Sequence, residues 1–367
     1  MKILLIGDYS NVHATLAQAL RQLGHHVTLA SDGDGWKNYP RDIDLSRKMG
    51  GLVSKIRYWH RLQNVFKTFR GYDVVQCINP VFLPLRGERI KPYYDYLRRH
   101  NKRVFLCAFG MDYYYAKAAL DPNVFRYSDF HTALVPKDSP ELDIWRRDWL
   151  EGPKGDINRY IAHDCDGIIS GLYEYHAAYY AAEFGHKETY IPFPIDTEVA
   201  RPEANAKRRQ DKLRFFIGIQ RGRSVYKGTD VMLRALERVV ALFPDECEMV
   251  RVESVPFAEY RRLMGESDVI LDQLYSYTPA MNALEAMSRG LVVVGGGEPE
   301  NYAVLHETEL KPIVNVQPNE RSVFEALCRL VRHRDRVPQL AAESREYILR
   351  HHEMHKVAKR YLDFWQR

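Results

Sequence analysis

Two stretches of this chain carry residue types able to hold a charged, hydroxyl-rich ligand. In Gly218–Asp230, GIQRGRSVYKGTD, Arg221, Arg223 and Lys227 follow an apolar, β-rich run. In Ser267–Gly297, SDVILDQLYSYTPAMNALEAMSRGLVVVGGG, a buried strand and a polar loop lead to a helix bearing Glu285, then to another buried strand ending in glycines. Lys227 stands just ahead of a helix opening near Thr229–Asp230, where a cation opposes the helix dipole by about 0.3–1 kcal/mol. A bound phosphate reverses that sign, because the ammonium and the free helix N–H groups then act on one anion. Arginine forks at 221 and 223 suit the same diphosphate. The carboxylate of Glu285 can accept from both vicinal hydroxyls of a ribose. The competing readings are a solvated basic loop and a surface i,i+4 pair between Glu285 and Arg289. No metal is called for.

The elements that must position these groups are legible. Thr278 as N-cap and Pro279 at the first helical position predict a helix over 279–289 closed by Gly290, with Asn282 and Glu285 on one face. Strands are expected at Lys2–Ile6, His26–Ala30, Asp73–Cys77, Arg103–Ala108, Gly167–Ser170 and Thr189–Ile191, then at Leu213–Ile219, Glu248–Val252, Val269–Asp272, Leu291–Val294 and Pro312–Val316. Continuous apolar runs separated by helices predict an α/β chain with parallel sheets covered on both faces. Two doubly wound, Rossmann-like domains facing a cleft fit better than one sheet of eleven strands. The pattern breaks at Ile191–Asp211. The expected division is 1–195 and 196–349, with 350–367 a last helical segment.

With 367 residues the chain can bury two cores. It has no apolar run near the roughly 18 residues of a membrane span. MKILLIGDYS reads as a first strand and not as a secretion signal, so a cytoplasmic location is expected. The five cysteines lack metal-like spacing and read as reduced, buried thiols. The first loop, GDYSNV, lacks the second and third glycines of GxGxxG, which disfavours a dinucleotide dehydrogenase. Within the mild net charge of +5, the segment 45–71 stands out: seven Lys and Arg with no acid, and a broad helical apolar face including Leu52, Ile56 and Trp59. It fits either an anionic membrane surface or a domain helix with a solvated polar face. No recognition motif for nucleic acid accompanies the charge.

In the first half, Asn11, His13 and Asp112 follow strands and are candidates for ligand contact, against ordinary helix capping. The aromatic-rich excursion Asp112–Gly155 is either a wall for sugar rings or a small core of its own.

Four stretches, ALRQLGHHVTLAS, IPFPIDTEVARPE, YKGTDVMLRAL and NALEAMSRGLVVVGGGEPE, resemble the GT-B fold glycosyltransferases, and among them the retaining group 1, or family 4, enzymes. The resemblance implies that Glu285, in EAM, contacts the ribose as the second carboxylate of a Glu-x7-Glu motif. Tyr277 occupies the position of the first. It maps Lys227 onto a phosphate-binding lysine, with Gly222 where the family has arginine and with Arg221 or Arg223 in its stead. Phe109 stands in the slot of a family histidine, near Asp112, and Asn11 and His13 lie in a loop that resembles the family's acceptor-side loop. The resemblance further implies that 1–195 faces the acceptor, that 196–349 holds the nucleotide, and that 350–367 packs back on the first domain across a cleft between the two. Tyr277, Thr278 and Asn282, with backbone N–H groups of 276–280, are expected near the donor, and Gly296 and Gly297 resemble the family's glycine loop, bordered by Glu298 or Glu300.

The expected reaction is therefore transfer of a sugar from a nucleoside diphosphate, UDP or GDP, to a glycan or lipid-linked acceptor. Retention of configuration, a role in cell-surface polysaccharide or lipopolysaccharide synthesis and a place at the inner membrane face are further implications. A non-catalytic binding protein and a nucleotide-sugar epimerase are the alternatives. The epimerase ranks last because no second carboxylate is evident near Glu285.

Overall fold

In the computed structural model the apolar runs become the buried strands of two parallel sheets. The structure describes residues 1–47, 50–132, 135–136, 140–198, 212–220, 222, 224–253 and 255–367. In chain order the strands are β1 Lys2–Ile6, β2 His26–Ser31, β3 Ile43–Asp44, β4 Val74–Cys77, β5 Arg103–Ala108, β6 His131–Thr132, β7 Val135–Pro136, β8 Gly167–Ser170 and β9 Glu188–Tyr190. They continue with β10 Leu213–Ile219, β11 Cys247–Glu253, β12 Val269–Asp272, β13 Val292–Gly295 and β14 Val314–Asn315. The first sheet has the order β3-β2-β1-β4-β5-β8-β9 and the second β11-β10-β12-β13-β14; every pairing in both is parallel.

Burial explains the pattern. Ile3–Ile6, Val104–Ala108, Phe215–Ile217 and Val269–Leu271 are all essentially inaccessible, as strands covered by helices on both faces must be. All eleven expected strands are present within a few residues. β3 and the antiparallel pair β6–β7 are additional, and too short to leave a periodicity in sequence.

Several contacts tie the halves together. The final helix, Met354–Gln366, lies against the first sheet: Phe364 packs on Phe105 at 5.6 Å and Trp365 Nε1 donates to Gln76 Oε1 at 3.1 Å. The connecting segment is held to it by Met354 N–H on the Ile195 carbonyl, 3.1 Å, and to the residue pair before it by Ile195 N–H on the His352 carbonyl, 2.7 Å. The aromatic excursion resolves in favour of packing at its first part. Phe125 and Tyr127 join Ala118, Ala178 and Tyr277 in a small cluster linking the two sheets' helices and loops. Arg126 beside them donates to Glu298 at 2.9 Å and also pairs with Glu300, while Tyr127 Oη donates to Glu298 at 2.7 Å.

Candidate functional site

The loops that leave the carboxyl ends of β1, β2, β10 and β12 converge, the location at which open α/β sheets bind ligands. Residues of both halves line three cavities there. One of about 490 Å³ is bordered by Gly218–Gln220, Lys227, Asp272, Asn282 and Glu285 from the second half, and by Ser10, Lys37 and Tyr39 from the first. A second, of about 560 Å³, shares Lys227, Ser10 and Lys37 with it. A third, of about 710 Å³, has Glu285, Arg261 and Asn11 on its walls. Lys227 and Glu285 thus face one space, and Lys227 stands on the wall common to two.

Local geometry fixes both groups. Lys227 ends the short helix Ser224–Lys227, and its carbonyl accepts from Leu274 N–H at 2.9 Å, tying the cation to the loop after β12. Gly228, next to it, has φ +71°, and a Cβ there would lie 2.6 Å from that of Leu274, so only glycine allows this approach. Glu285 sits in the helix Met281–Ser288 and receives Arg261 at 2.7 Å and Arg289 at 3.0 Å, both on Oε1. Asn282 accepts from Tyr260 Oη at 3.0 Å and donates to Asp272 at 3.3 Å. Burial raises the pKa of Asp272, against the opposing charge of Lys227.

The chain superposes over its whole length on solved two-sheet proteins. Sucrose-phosphate synthase from Thermosynechococcus elongatus matches with TM-score 0.65 at 13% identity, over 100% of this chain and 98% of that one. Anabaena HepE in complex with UDP and glucose matches with TM-score 0.61 at 12% identity, over 99% and 98%. The fold is GT-B. UDP-GlcNAc 2-epimerase from Neisseria meningitidis, bound to UDP-GlcNAc, shares it with TM-score 0.54 at 11% identity, over 99% of both chains. The sequence matches no family model and none of the curated proteins.

Within this GT-B cleft several expected residues stand elsewhere. Tyr277 does not line any of the three cavities. It is 2% exposed, its ring 4.8 Å from that of Tyr127, and its hydroxyl accepts from Arg126 N–H at 2.7 Å. The N–H groups of Tyr277 and Thr278 are taken by Glu174, at 2.6 and 3.2 Å, and the Thr278 hydroxyl donates to the same carboxylate. Thr278 therefore caps no helix; the helix begins two residues later than Pro279, with Ala280 as N-cap. Gly296 and Gly297 are buried packing positions: a Cβ at 296 would meet the Ser276 carbonyl at 2.1 Å. Glu298 is consumed by Arg126, Tyr127, Asn315 and Gln317.

The acceptor-side candidates divide. Asn11 borders the third cavity, with Glu285 and Arg261. His13 is fully buried: Nδ1–H donates to the Gly7 carbonyl at 2.7 Å, and Nε2 accepts from Gln76 Nε2 at 3.0 Å. Desolvation lowers its pKa to about 4, so it is a neutral core histidine. Asp112 is the N-cap of Tyr113–Ala118, accepting from Tyr115 N–H at 2.8 Å and Tyr179 Oη at 3.0 Å, with burial pushing its pKa up to about 7. Arg221 and Arg223 lie outside the described residues.

Sequence reasoning missed Lys37, Tyr39, Arg261 and Glu174. Glu174 is 6% exposed and borders the second cavity with Asp129, so carboxylates do reach this chamber. Among the described residues no His, Cys, Asp and Glu side chains group to hold a metal.

Proposed function

We propose that the protein is a glycosyltransferase that takes its sugar from a nucleoside diphosphate, UDP or GDP. The observation that carries this reading is Lys227 on the wall shared by two cavities, with Glu285 in the first. A nucleoside in the 490 Å³ space, with its ribose on Glu285, brings the diphosphate to Lys227 and the sugar into the 560 Å³ space. Lys227 then stabilises charge developing on the departing diphosphate, a fixed cation acting where charge appears. Asn282 stands beside the ribose, and Arg221 and Arg223 are assigned to the diphosphate. The acceptor, a glycan or a lipid-linked one, enters from the first half. In the retaining course that the family resemblance implies, a donor phosphate oxygen takes its proton. HepE with UDP and glucose supports a sugar nucleotide in such a cleft. The working units of this reading are 1–195 with the returning helix 350–367, and 196–349.

The test is a thermal-shift panel of UDP-, GDP-, ADP- and TDP-sugars on the wild type and on Glu285→Ala. A shift for one nucleotide that vanishes in the variant supports the assignment; no shift from any of them refutes it. Epimerisation is the second reading, favoured by Glu174 and Asp129 beside the sugar space and by the epimerase neighbour. NMR of the donor without acceptor separates the two, because only an epimerase changes the sugar.

We also infer that the segment 45–71 meets an anionic bilayer, which would place synthesis of cell-surface polysaccharide or lipopolysaccharide at the inner membrane face. In helix Leu52–Phe66, Leu52, Val53, Ile56 and Trp59 are 72, 69, 49 and 52% exposed, while Tyr58, Leu62 and Phe66 face the protein. Lys55, Arg57, Arg61 and Lys67 stand in the same helix or just beyond it and the segment holds no acid, the composition of an interfacial helix. No helix among the described residues is long and apolar enough to cross a membrane.

A further inference from the structure

The first-sheet rim of the cleft concentrates backbone strain. Ser10, Asn11, Asp34 and Asn38 have φ of 51°, 69°, 57° and 49°, left-handed conformations at residues other than glycine. Each costs on the order of 1 kcal/mol and persists only where surrounding contacts impose it. Here they do. Asp34 Oδ2 accepts from Ser10 N–H at 2.9 Å and from Lys37 Nζ at 2.6 Å, and Lys37 Nζ also donates to Ser10 Oγ at 3.2 Å. Arg41 steadies the far end of the loop through Asn38 Oδ1 at 2.9 Å. The Lys37–Asp34 pair, with side chains 22 and 25% exposed, is worth about 1 kcal/mol, less than the summed strain of four such residues, so the pair alone does not account for this construction.

What the construction achieves is placement. Lys37 lines all three cavities, including both that share Lys227. An ammonium has three N–H donors; Asp34 and Ser10 take two. We propose that Lys37 is the cation that completes the diphosphate site from the opposite half, so that the anion is held between Lys37 and Lys227. This rests on the nucleotide reading above and adds to it a residue, and a lip, that no motif in the chain announces. Tyr39, on the same lip, reaches across to Phe257 at 5.6 Å and closes the nucleoside space. The diphosphate then becomes a bond between the halves, whereas a bare nucleoside does not.

Calorimetric titration of UDP and GDP, and of uridine and guanosine, into the wild type, Lys37→Met, Lys37→Gln, Lys37→Arg and Lys227→Met tests this. Removal of the Lys37 charge is expected to weaken the bound diphosphate roughly tenfold or more and to leave the nucleoside unchanged. Its salt dependence should become shallower, and Lys37→Arg should retain most of the affinity. Two neutral variants, each checked by its melting temperature without ligand, guard against a packing loss in one of them. If both bind diphosphate as the wild type does while Lys227→Met fails, Lys37 is only the partner of Asp34 and the inference falls, with the proposed function intact. Equal losses of nucleoside and diphosphate overturn it too, because the lip has then merely lost its shape. A wild type that binds neither diphosphate brings down both.

Discussion

Glu285→Gln separates a ribose contact from a structural ion pair. The carboxylate holds Arg261 and Arg289 on one oxygen, with side-chain exposures of 37, 19 and 27% for Arg261, Arg289 and Glu285. Partly exposed pairs of this kind contribute about 0.2–1 kcal/mol each, so the free protein should lose no more than ~2 kcal/mol. Each hydrogen bond from a ribose hydroxyl to a charged acceptor is worth about 1.5–3 kcal/mol. Loss of the charge should therefore weaken nucleoside diphosphate binding about 10- to 100-fold with only a small fall in melting temperature. The assay is titration of UDP or GDP against its 2′,3′-dideoxy analogue on wild type and variant. The analogue should bind the wild type at least as weakly as the parent nucleotide binds the variant, and the variant should discriminate between them less than the wild type does. An unchanged dissociation constant in Glu285→Gln, or two losses that add fully, refutes the ribose assignment, because partners in contact must couple.

Four further outcomes are expected. Tyr277→Phe removes an acceptor from the part-buried Arg126 N–H and the buried Tyr127 N–H, which should cost about 1–3 kcal/mol in urea unfolding while nucleotide affinity in the folded protein is retained; a specific loss of donor binding with stability unchanged would return Tyr277 to the site. His13, with its folded pKa near 4 and an unfolded value near 6.5, gives stability that is present above pH 6.5 and lost as pH falls toward 4, by about 3 kcal/mol. His13→Asn should flatten the pH dependence of unfolding by close to one proton; comparison with the wild type cancels Asp8 and Asp112, whose raised pKa values tilt the other way. Gly228→Ala forces a Cβ against Leu274 at positive φ and should destabilise by at least ~2 kcal/mol, read as a melting temperature several degrees lower. Ile56→Asp with Trp59→Asp should abolish flotation with vesicles containing anionic lipid and leave soluble donor binding intact; equal flotation of variant and wild type removes the membrane assignment.

The sheets were legible because β1, β5, β10 and β12 are continuous apolar runs, and burial on both faces leaves that mark in any sequence. The position of Lys227 and Glu285 on one cavity wall was legible because each follows such a strand, β10 or β12, through a loop and a helix. The contribution of the first half was not. Residues 34–39, DGWKNY, show no periodicity, and their placement over the second half depends on left-handed backbone at Asp34 and Asn38, positions that an L side chain does not advertise. Tyr277 and His13 misled for a related reason. A polar aromatic or an imidazole after a strand looks the same whether it turns to solvent or inward, and what turned these two inward were partners 63 to 151 residues away, Gln76 and Arg126.

The stack of Tyr277 on Tyr127, with Arg126 reaching Glu298 and Glu300, has a mechanical corollary. A hydrogen-bonded aromatic joint that spans the boundary cannot lengthen gradually; it either holds or comes apart. Any shift of one half against the other must therefore either break this flank, with its stack and its Arg126 pairs, or turn about it.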